Sequence, residues 1–333
     1  MRARAFAKIN LSLRVLGTRP DGYHELRTIF QSIALHDTLT IRHVAGPFRL
    51  TCDDASLPRD RTNLVWRAAD RLWKAARRRG APRGVAIHLT KCIPVQGGLG
   101  GGSSDAAATL RALAKVWRVD QQSVREAAVT LGADVPYFLE GGTVLGLERG
   151  DVLVPLPDHP RRWVVLVIPP FGVGTKEAYA WFDRDCRHQH FLLSRGAPDL
   201  SLRRGPTRGA VARRKRLATA QGCHAPMLSP VTRTERRVGA AGAVGAELAR
   251  PGSVNDLEAP VSKRHPEIRR IVSSLNRAGS TRAAMSGSGS AVFGLFETKG
   301  AAFDAAGALK RGNRSAIVTR TLTRAECRRL AAK

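Results

Sequence analysis

The chain has 333 residues, of which 43% are apolar, and a formal net charge of +28. Its length allows one large domain or two moderate ones, and no apolar run approaches the roughly 20 residues that a membrane span requires. Five scattered cysteines without a Cys-x-x-Cys pair argue against a disulfide framework or a zinc site. Because this pattern fits a reducing compartment and no secretory signal is evident, we expect a cytoplasmic protein.

The positive charge is unevenly distributed along the chain. Residues 187–250 hold thirteen Lys/Arg against three Asp/Glu, and they follow neither a helical nor a strand period for long. Nucleic-acid binding is the natural alternative for such a chain, but aromatic residues are only 5% overall and nearly absent here. We therefore expect 186–250 to be a poorly ordered arginine-rich segment, either an insertion or a reading-frame artefact.

The first predicted element is an alternating segment over 7–15. Apolar residues occupy every second position there, which predicts a half-buried strand with Lys8 and Asn10 together on its polar face. Further strands are predicted over 26–35 and 37–42.

The most informative segment runs from Pro94 to Asp105. Five glycines within six positions allow the backbone N–H groups to converge on one point, and an apolar helix is predicted directly afterwards, over 106–117. With Ser103 or Ser104 at the helix start, the helix dipole faces the same point, which predicts a phosphate-binding loop. No lysine follows the glycines as in a Walker loop, and no acidic residue stands where a dinucleotide fingerprint needs one.

Helices and strands alternate along the rest of the chain. Several neighbouring strands are hairpin-like, so the pattern predicts an α+β fold with mixed or antiparallel sheets. Predicted helices follow Asn63, begin at a Ser123-x-x-Glu126 capping box, start near Thr175, follow Pro266 and span 301–310; predicted strands span 85–89, 143–147, 163–168 and 316–322, and a further one follows the small-residue run that begins at Met285.

Four polar clusters remain as candidates for chemistry: Lys8 with Asn10, Tyr23 with His24, the glycine loop, and Asp134. Phosphoryl transfer needs a phosphate cradle, positive charge, and a carboxylate that orients or deprotonates the attacking hydroxyl. The four clusters supply all of these parts, which favours a kinase over a pseudoenzyme.

The motifs together resemble the GHMP kinase superfamily. Within it, the Lys-Ile-Asn-Leu strand and the Asp-Gly-Tyr-His-Glu turn are similar to the 4-diphosphocytidyl-2-C-methyl-D-erythritol kinases of the non-mevalonate isoprenoid pathway. The resemblance covers roughly residues 5–182 and 254–322. It is carried by Ala7-Lys-Ile-Asn-Leu11, Pro20-Asp-Gly-Tyr-His-Glu25, Pro94 to Ser104, Leu131-Gly-Ala-Asp-Val-Pro136, Asn255-Asp-Leu-Glu258 and Met285-Ser-Gly-Ser-Gly289.

The resemblance implies a two-domain GHMP kinase-like fold. Residues 1–160 would form an ATP-binding domain with a ribosomal-protein-S5-like mixed sheet, and 161–333 a ferredoxin-like α+β substrate domain. The implied reaction passes the γ-phosphate of ATP to the 2-hydroxyl of cytidine diphosphate methylerythritol. A mevalonate- or homoserine-like kinase and a basic nucleic-acid-binding protein stay open as alternatives, and nothing predicts the oligomeric state.

The resemblance also implies roles for individual residues. Asp134 matches the family's catalytic base, and Lys8 matches the lysine that holds it ionised, because an adjacent cation lowers the pKa of a carboxylate. Asn10 would touch the substrate, with Tyr23 stacking on cytosine, His24 bonding to its edge, and Thr175 and Tyr179 forming the other wall of the pocket. The ATP phosphates would lie on Pro94, Val95, Gln96, Gly97, Gly98, Leu99, Gly100, Gly101, Gly102, Ser103 and Ser104, with Ser104 or the loop serines helping to hold Mg²⁺.

Overall fold

The computed structural model of the protein describes residues 1–195, 255–310 and 314–331. The elements up to residue 155 are β1 (Arg2–Thr18), β2 (His24–Pro47), β3 (Arg49–Cys52), α1 (Leu64–Ala75), β4 (Arg83–Thr90), α2 (Gly101–Trp117), α3 (Gln121–Leu131), α4 (Val135–Glu140), β5 (Thr143–Glu148) and β6 (Val152–Pro155). They are followed by β7 (Trp163–Ile168), α5 (Thr175–Arg195), α6 (Glu258–Arg264), α7 (Pro266–Arg277), β8 (Arg282–Met285), β9 (Val292–Phe296), α8 (Lys299–Leu309), β10 (Ser315–Arg320) and α9 (Arg324–Leu330).

The first six strands form a mixed sheet. Its order is β3-β4-β2-β5-β6, with β1 also paired to β2. Only the β3–β4 pair is parallel, and the other pairs are antiparallel. One face of this sheet is covered by α1, α2 and α3, which bury an apolar cluster that includes Leu72, Leu110 and Ile87. Mixed pairing with helices on one face is the α+β arrangement that the sequence predicts.

The remaining four strands form a second sheet in the order β10-β7-β9-β8, and all of its pairs are antiparallel. Helices α6, α7 and α8 pack on one face of this sheet and bury a cluster that includes Ile268, Ile271 and Val165. The other face packs against the first sheet, where Ile9 and Leu11 of β1 meet Leu166 and Phe293. The two sheets therefore share a continuous apolar contact beside β1.

The strand predicted over 7–15 is confirmed as part of β1, but the prediction that only one of its faces is buried is wrong. Ile9 and Leu11 are buried against the second sheet, but Lys8, Asn10 and Ser12 on the opposite face of β1 are buried as well. Alternation in the sequence records that the two faces differ in polarity, and only the fold shows that both are covered. The strands predicted separately over 26–35 and 37–42 are likewise one continuous strand, β2.

Two predicted helix starts are corrected by the backbone hydrogen bonds. Helix α2 begins at Gly101 rather than at 106, so Ser103 and Ser104 lie in its first turn. Helix α3 does not begin at a Ser123 capping box, because Asp120 three residues earlier is the N-cap and its Oδ1 accepts from the Ser123 N–H. By contrast, Asn63 caps α1 as predicted, accepting from the Val65 N–H.

The arginine-rich segment predicted over 186–250 lies mostly outside the described residues. Its first ten positions, 186–195, continue α5 as helix, which corrects the start of that segment; residues 196–250 are not described. The predicted division into domains at 160/161 falls in the connection between β6 and β7, and it stays a prediction. In the part of the chain that the structure describes, no helix combines the length and apolarity that crossing a bilayer would take.

Candidate functional site

A cavity of about 1,260 Å³ opens between the glycine loop, the polar face of β1 and the start of α5. With the exception of Ser104, every residue that the sequence singles out for catalysis or binding lines it: Lys8, Asn10, Tyr23, His24, Pro94, Val95, Gln96, Gly97, Gly98, Leu99, Gly100, Gly101, Gly102, Ser103, Asp134, Thr175 and Tyr179. Segments that are far apart in the sequence thus meet around one space.

The glycine loop is packed so closely that two of its positions exclude any side chain. Gly98 has φ +71°, and a Cβ there would collide with the carbonyl oxygen of Ser286; Gly100 has φ +72°, and its Cβ would lie 2.5 Å from the ring of Phe138. Only glycine adopts this left-handed backbone and this close approach without strain. The backbone N–H of Lys8 also donates to Leu99 O at 3.0 Å, which fixes the loop beside β1.

The small-residue run that begins at Met285 supports the loop from the second sheet. The hydroxyl of Ser286 donates to Gly98 O at 3.1 Å, and the backbone N–H of Ala291 donates to Gly97 O at 3.2 Å. The side chain of Asn255 in turn donates to the carbonyls of Met285 and Gly287. This run therefore positions the glycine loop in addition to lining the cavity.

Lys8 is held in a buried chain of hydrogen bonds at the floor of the cavity. Its Nζ donates to Asn10 Oδ1 at 2.6 Å, and Asn10 Nδ2 donates to Thr28 Oγ1 at 2.7 Å. The Thr28 hydroxyl then donates to the carbonyl of Ser12, also at 2.7 Å. The amide of Asn10 is engaged at both ends, so it holds the ammonium group in one place.

Asp134 faces Lys8 from the other side of the cavity. The distance from Lys8 Nζ to Asp134 Oδ2 is 3.7 Å, and the side chain of Asp134 is 34% exposed whereas that of Lys8 is 5% exposed. Asp134 precedes α4 but makes no capping hydrogen bond. Its carboxylate is therefore near a cation and still open to a molecule in the cavity.

The pKa of Lys8 is lowered from its ordinary value of 10.5, mainly because burial disfavours the ammonium form, while the charge of Asp134 acts in the opposite direction. A buried lysine beside a carboxylate, in a cleft with a phosphate-type loop, is the combination that marks functional sites. An ammonium group has three donors, so Lys8 can bind Asn10 and Asp134 and still donate to a ligand.

At the other end of the cavity, His24 lies among residues of α5. Its ring stacks on Tyr179 with centroids 4.6 Å apart, and its Nε2 is 2.8 Å from Asp183 Oδ1. Burial raises the pKa of Tyr179, and the charge of Asp134 adds to this effect. The contacts fix the imidazole plane and leave Nδ1 as the ring nitrogen that is free of this carboxylate.

Tyr23 and Thr175 complete this end of the cavity. The side chain of Tyr23 is 58% exposed, and the guanidinium carbon of Arg149 lies 5.3 Å from the centre of its ring. Thr175 starts α5, and its hydroxyl is 3.1 Å from that of Ser288. Tyr23 thus presents an exposed aromatic ring at this end of the cavity.

A second group of charged residues lies near the start of α2, and two of its members, Lys91 and Asp105, line the cavity. Lys91 Nζ contacts both Asp37 and Asp105, the latter at 2.8 Å. Asp37 also accepts from the backbone N–H groups of Cys92 and Ile93. Burial raises the pKa of Asp105 to about 8, and the charge of Asp37 contributes in the same direction, against Lys91. This group ties the strand that leads into the glycine loop to the helix that leaves it.

The proposed Mg²⁺ contact of Ser104 does not fit the geometry. Ser104 is buried, its hydroxyl donates to the carbonyl of Phe6 at 2.7 Å, and it does not line the cavity. Because α2 begins three residues before Ser104, the side chain turns toward β1, and Ser103 is the serine that faces the cavity. Within the described ranges, no group of three or more His, Cys, Asp or Glu could hold a metal ion.

Several residues of this site were not predicted from the sequence: Asp37, Lys91, Asp105, Arg149 and Asp183. Asp183 could have been found, because it lies four residues after Tyr179 and eight after Thr175, on the same face of one helix. The others come together only through the fold.

Comparison with known proteins agrees with this geometry. The family model for the N-terminal domain of GHMP kinases matches residues 63–142, and that for the C-terminal domain matches 235–314. The 4-diphosphocytidyl-2-C-methyl-D-erythritol kinase of Pelotomaculum thermopropionicum is 39% identical over 96% of this chain and 97% of its own length. The enzyme of the same name from Moorella thermoacetica is 40% identical over 96% and 98%.

Solved structures extend the comparison to the fold. The crystal structure of a 4-(cytidine 5'-diphospho)-2C-methyl-D-erythritol kinase superposes with a TM-score of 0.68 at 32% identity, over 97% of this chain and 100% of that one. A homoserine kinase from Cytophaga hutchinsonii, at 19% identity and a TM-score of 0.60 over 97% and 95%, shares the fold. The chain therefore belongs to the 4-diphosphocytidyl-2-C-methyl-D-erythritol kinase family and is an ATP-dependent small-molecule kinase of the GHMP type.

Proposed function

We propose that this kinase transfers the γ-phosphate of ATP to the 2-hydroxyl of 4-diphosphocytidyl-2-C-methyl-D-erythritol, a step in isoprenoid precursor synthesis in the cytoplasm. The observation that carries the proposal is the position of the Lys8–Asp134 pair, 3.7 Å apart, in one cavity with the glycine loop and the pocket of His24 and Tyr179. A phosphate donor, a reacting centre and a base-binding pocket would then follow one another along that cavity.

In the proposed reaction, the oxygen of the 2-hydroxyl attacks the γ-phosphorus, and Asp134 accepts the proton of that hydroxyl. The bond from that phosphorus to the β,γ-bridging oxygen breaks, and ADP leaves. Asp134 suits this role because its carboxylate is partly exposed and makes no capping hydrogen bond. Lys8 would stabilise negative charge on the attacking oxygen or the transferred group, with Asn10 holding its ammonium in place.

The proposed ATP contacts are the backbone N–H groups of residues 97–103 and the first turn of α2. Gly98 and Gly100 let the loop pack directly against Ser286 and Phe138, which would hold its backbone in place for the ligand. Five residues of this loop are glycine, so phosphate oxygens can reach several N–H groups at once.

Mg²⁺ belongs to the same proposal, and it would arrive with the nucleotide. Mg²⁺ is usually held by substrate phosphates and only one or two protein groups. The hydroxyl of Ser103, on the cavity side of α2, would be its protein ligand. The ion would neutralise phosphate charge during transfer.

The proposed specificity for the cytidine group comes from His24, Tyr23 and the start of α5. Asp183 holds one nitrogen of the His24 ring, which leaves the other for the edge of the base, while Tyr23 offers an exposed ring for stacking. Thr175 and Tyr179 would close the pocket from α5.

A comparison of acceptor alcohols tests the proposal. With ATP and Mg²⁺, kcat/KM should be highest for 4-diphosphocytidyl-2-C-methyl-D-erythritol, and 2-C-methyl-D-erythritol 4-phosphate, which lacks the cytidine group, serves as the matched control. Equal or higher kcat/KM with mevalonate or homoserine would replace the proposed substrate with one of the alternatives.

A further inference from the structure

A second depression lies on the first sheet, outside the cavity described above. Its volume is about 510 Å³, and its lining shares no residue with the cavity. It is lined by Arg2, Thr40, Arg42, Arg49, Thr51, Ala86, Ile87 and His88. Arg2 is six residues from Lys8 on β1, a separation of about 20 Å along an extended strand.

The strand register explains how the depression forms. Ala86 of β4 pairs with Arg42 of β2 on one side and with Arg49 of β3 on the other. Neighbouring strands lie about 4.8 Å apart, so the two arginines flank Ala86 at a separation of about 10 Å. Because alanine has a short side chain and arginine a long one, the surface at Ala86 is recessed between the two guanidinium groups.

The next row of paired residues on the same sheet face adds polar groups beside this recess. Arg2 pairs with Thr40, Thr40 pairs with His88, and His88 pairs with Thr51. Thr51 Oγ1 and His88 Nδ1 are 3.0 Å apart, so this contact leaves the second ring nitrogen of His88 for another partner. Hydroxyl, imidazole and guanidinium groups therefore surround one small space.

The formally charged residues described in the depression are all arginines. Arg2, Arg42 and Arg49 are exposed, and no described residue forms a hydrogen bond or ion pair with their side chains. None of the described lining residues is an aspartate or glutamate. Surface arginines on a crowded sheet face repel one another, and an anion placed between them would remove that repulsion.

We propose that this depression binds a small multivalent phosphate anion, such as a diphosphate or triphosphate group, separately from the kinase cavity. Guanidinium groups form paired hydrogen bonds to phosphate oxygens, and Arg42 and Arg49 can approach such a group from opposite sides of Ala86. A single-stranded nucleic acid fits less well, because the described lining offers no Phe, Tyr or Trp ring on which a base could stack.

The test is calorimetric titration with inorganic triphosphate while the kinase cavity is saturated with a non-hydrolysable ATP analogue. The wild-type chain should bind one further equivalent of triphosphate. The Arg42→Gln/Arg49→Gln chain should bind it about tenfold more weakly for each arginine removed. Its kcat without triphosphate should equal that of the wild type, because neither arginine belongs to the catalytic cavity.

The matched control is Arg71→Gln/Arg125→Gln, which removes two exposed arginines from α1 and α3 and should bind triphosphate like the wild type. Absence of the second equivalent in the wild type overturns the proposal, as does equal binding by the Arg42/Arg49 variant. A parallel titration with a single-stranded RNA of 20 nucleotides separates the two classes of ligand. Tighter, Arg42- and Arg49-dependent binding of this RNA than of triphosphate would assign the depression to nucleic acid instead.

Discussion

Two lysines beside carboxylates line the kinase cavity, and their surroundings differ. Lys91 contacts Asp37 and Asp105 closely, and both carboxylates are buried. Lys8 lies 3.7 Å from Asp134, whose side chain is one-third exposed. Asp37 is also bound by two backbone N–H groups, whereas Asp134 makes no capping hydrogen bond.

This difference indicates which carboxylate can do chemistry. A catalytic base must accept a proton from the substrate during each turnover. Its carboxylate must therefore be open to the substrate and not fully engaged by hydrogen bonds within the protein. Asp134 meets that condition. Asp37 is held by Lys91 and by two backbone N–H groups, and breaking a buried ion pair costs more than the pair contributes. Asp105 is buried against the same lysine. We therefore expect the Lys8–Asp134 pair to carry catalysis and the Lys91 group to carry structure.

The largest expected effect is that of Asp134→Asn. The amide keeps the shape of the side chain but cannot accept the proton, so kcat should fall by about a thousandfold or more. The dissociation constant for ATP should change little, because the phosphates lie on the glycine loop. Steady-state kinetics with nucleotide titration measure both quantities, and kcat within a few-fold of the wild type would remove Asp134 from the role of base.

Lys8→Met should have the next largest effect, a loss of about a hundredfold in kcat. The pH profile gives a sharper test of Lys8 itself. Burial lowers its pKa below 10.5, so the active ammonium form is lost as the pH rises, and the rate should decline before pH 10.5.

Lys8→Arg provides the control for that profile, because a guanidinium group keeps its charge over the whole range. The alkaline decline should be absent from whatever activity this variant retains. An identical decline in both chains would show that another group titrates.

Asp37→Asn should affect stability more than chemistry. It weakens a buried contact with Lys91 and the anchor of the Cys92 and Ile93 N–H groups, which should lower the free energy of unfolding by about 3 kcal/mol. The folded enzyme should keep its kcat within about tenfold and show a raised KM for ATP. Denaturant titration beside kinetics checks this, and a loss of kcat as large as that of Asp134→Asn would erase the distinction between the two regions.

A smaller effect is expected of Tyr179→Ala. The ring of Tyr179 stacks on His24, and such contacts contribute about 1 kcal/mol. KM for the cytidine substrate should therefore rise by roughly tenfold or less, with kcat nearly unchanged. An effect on kcat alone would place Tyr179 at the reacting centre instead of the base-binding pocket.

The last expected effect is a dependence of stability on pH. Because burial raises the pKa of Asp105 from 3.8 to about 8, the folded chain retains a proton that the unfolded chain releases in this range. Rising pH between these values therefore favours the unfolded state, and the free energy of unfolding should fall as the pH rises. Asp105→Asn should remove this dependence, and parallel curves for the two chains would contradict it.

The sequence predicts the parts of the cavity that depend on local patterns. These parts are the alternation of β1, the Asn63 cap of α1 and the density of glycines before α2. Each of them depends on the backbone preferences of residues that are close together in the sequence. The same residues reveal nothing of what will cover them. The polar face of β1 is therefore buried contrary to prediction.

The remaining features depend on residues that are distant in the sequence. Asp37 meets Lys91 across 54 positions, and Ser286 meets Gly98 across 188. Neither contact has a local pattern, because the residues come together only when the first sheet forms and the second packs on it. The position of Ser104 likewise depends on the start of α2, which the glycines before it obscured.

A crystal structure of the chain with a non-hydrolysable ATP analogue and 4-diphosphocytidyl-2-C-methyl-D-erythritol tests the central claim most directly. The 2-hydroxyl of the acceptor should lie within about 2.6–3.2 Å of a carboxylate oxygen of Asp134, with the terminal phosphate between that hydroxyl and the glycine loop. An acceptor hydroxyl bound at the Lys91 group, or a nucleotide bound away from Gly98 and Gly100, would contradict the assignment of catalysis to Lys8 and Asp134.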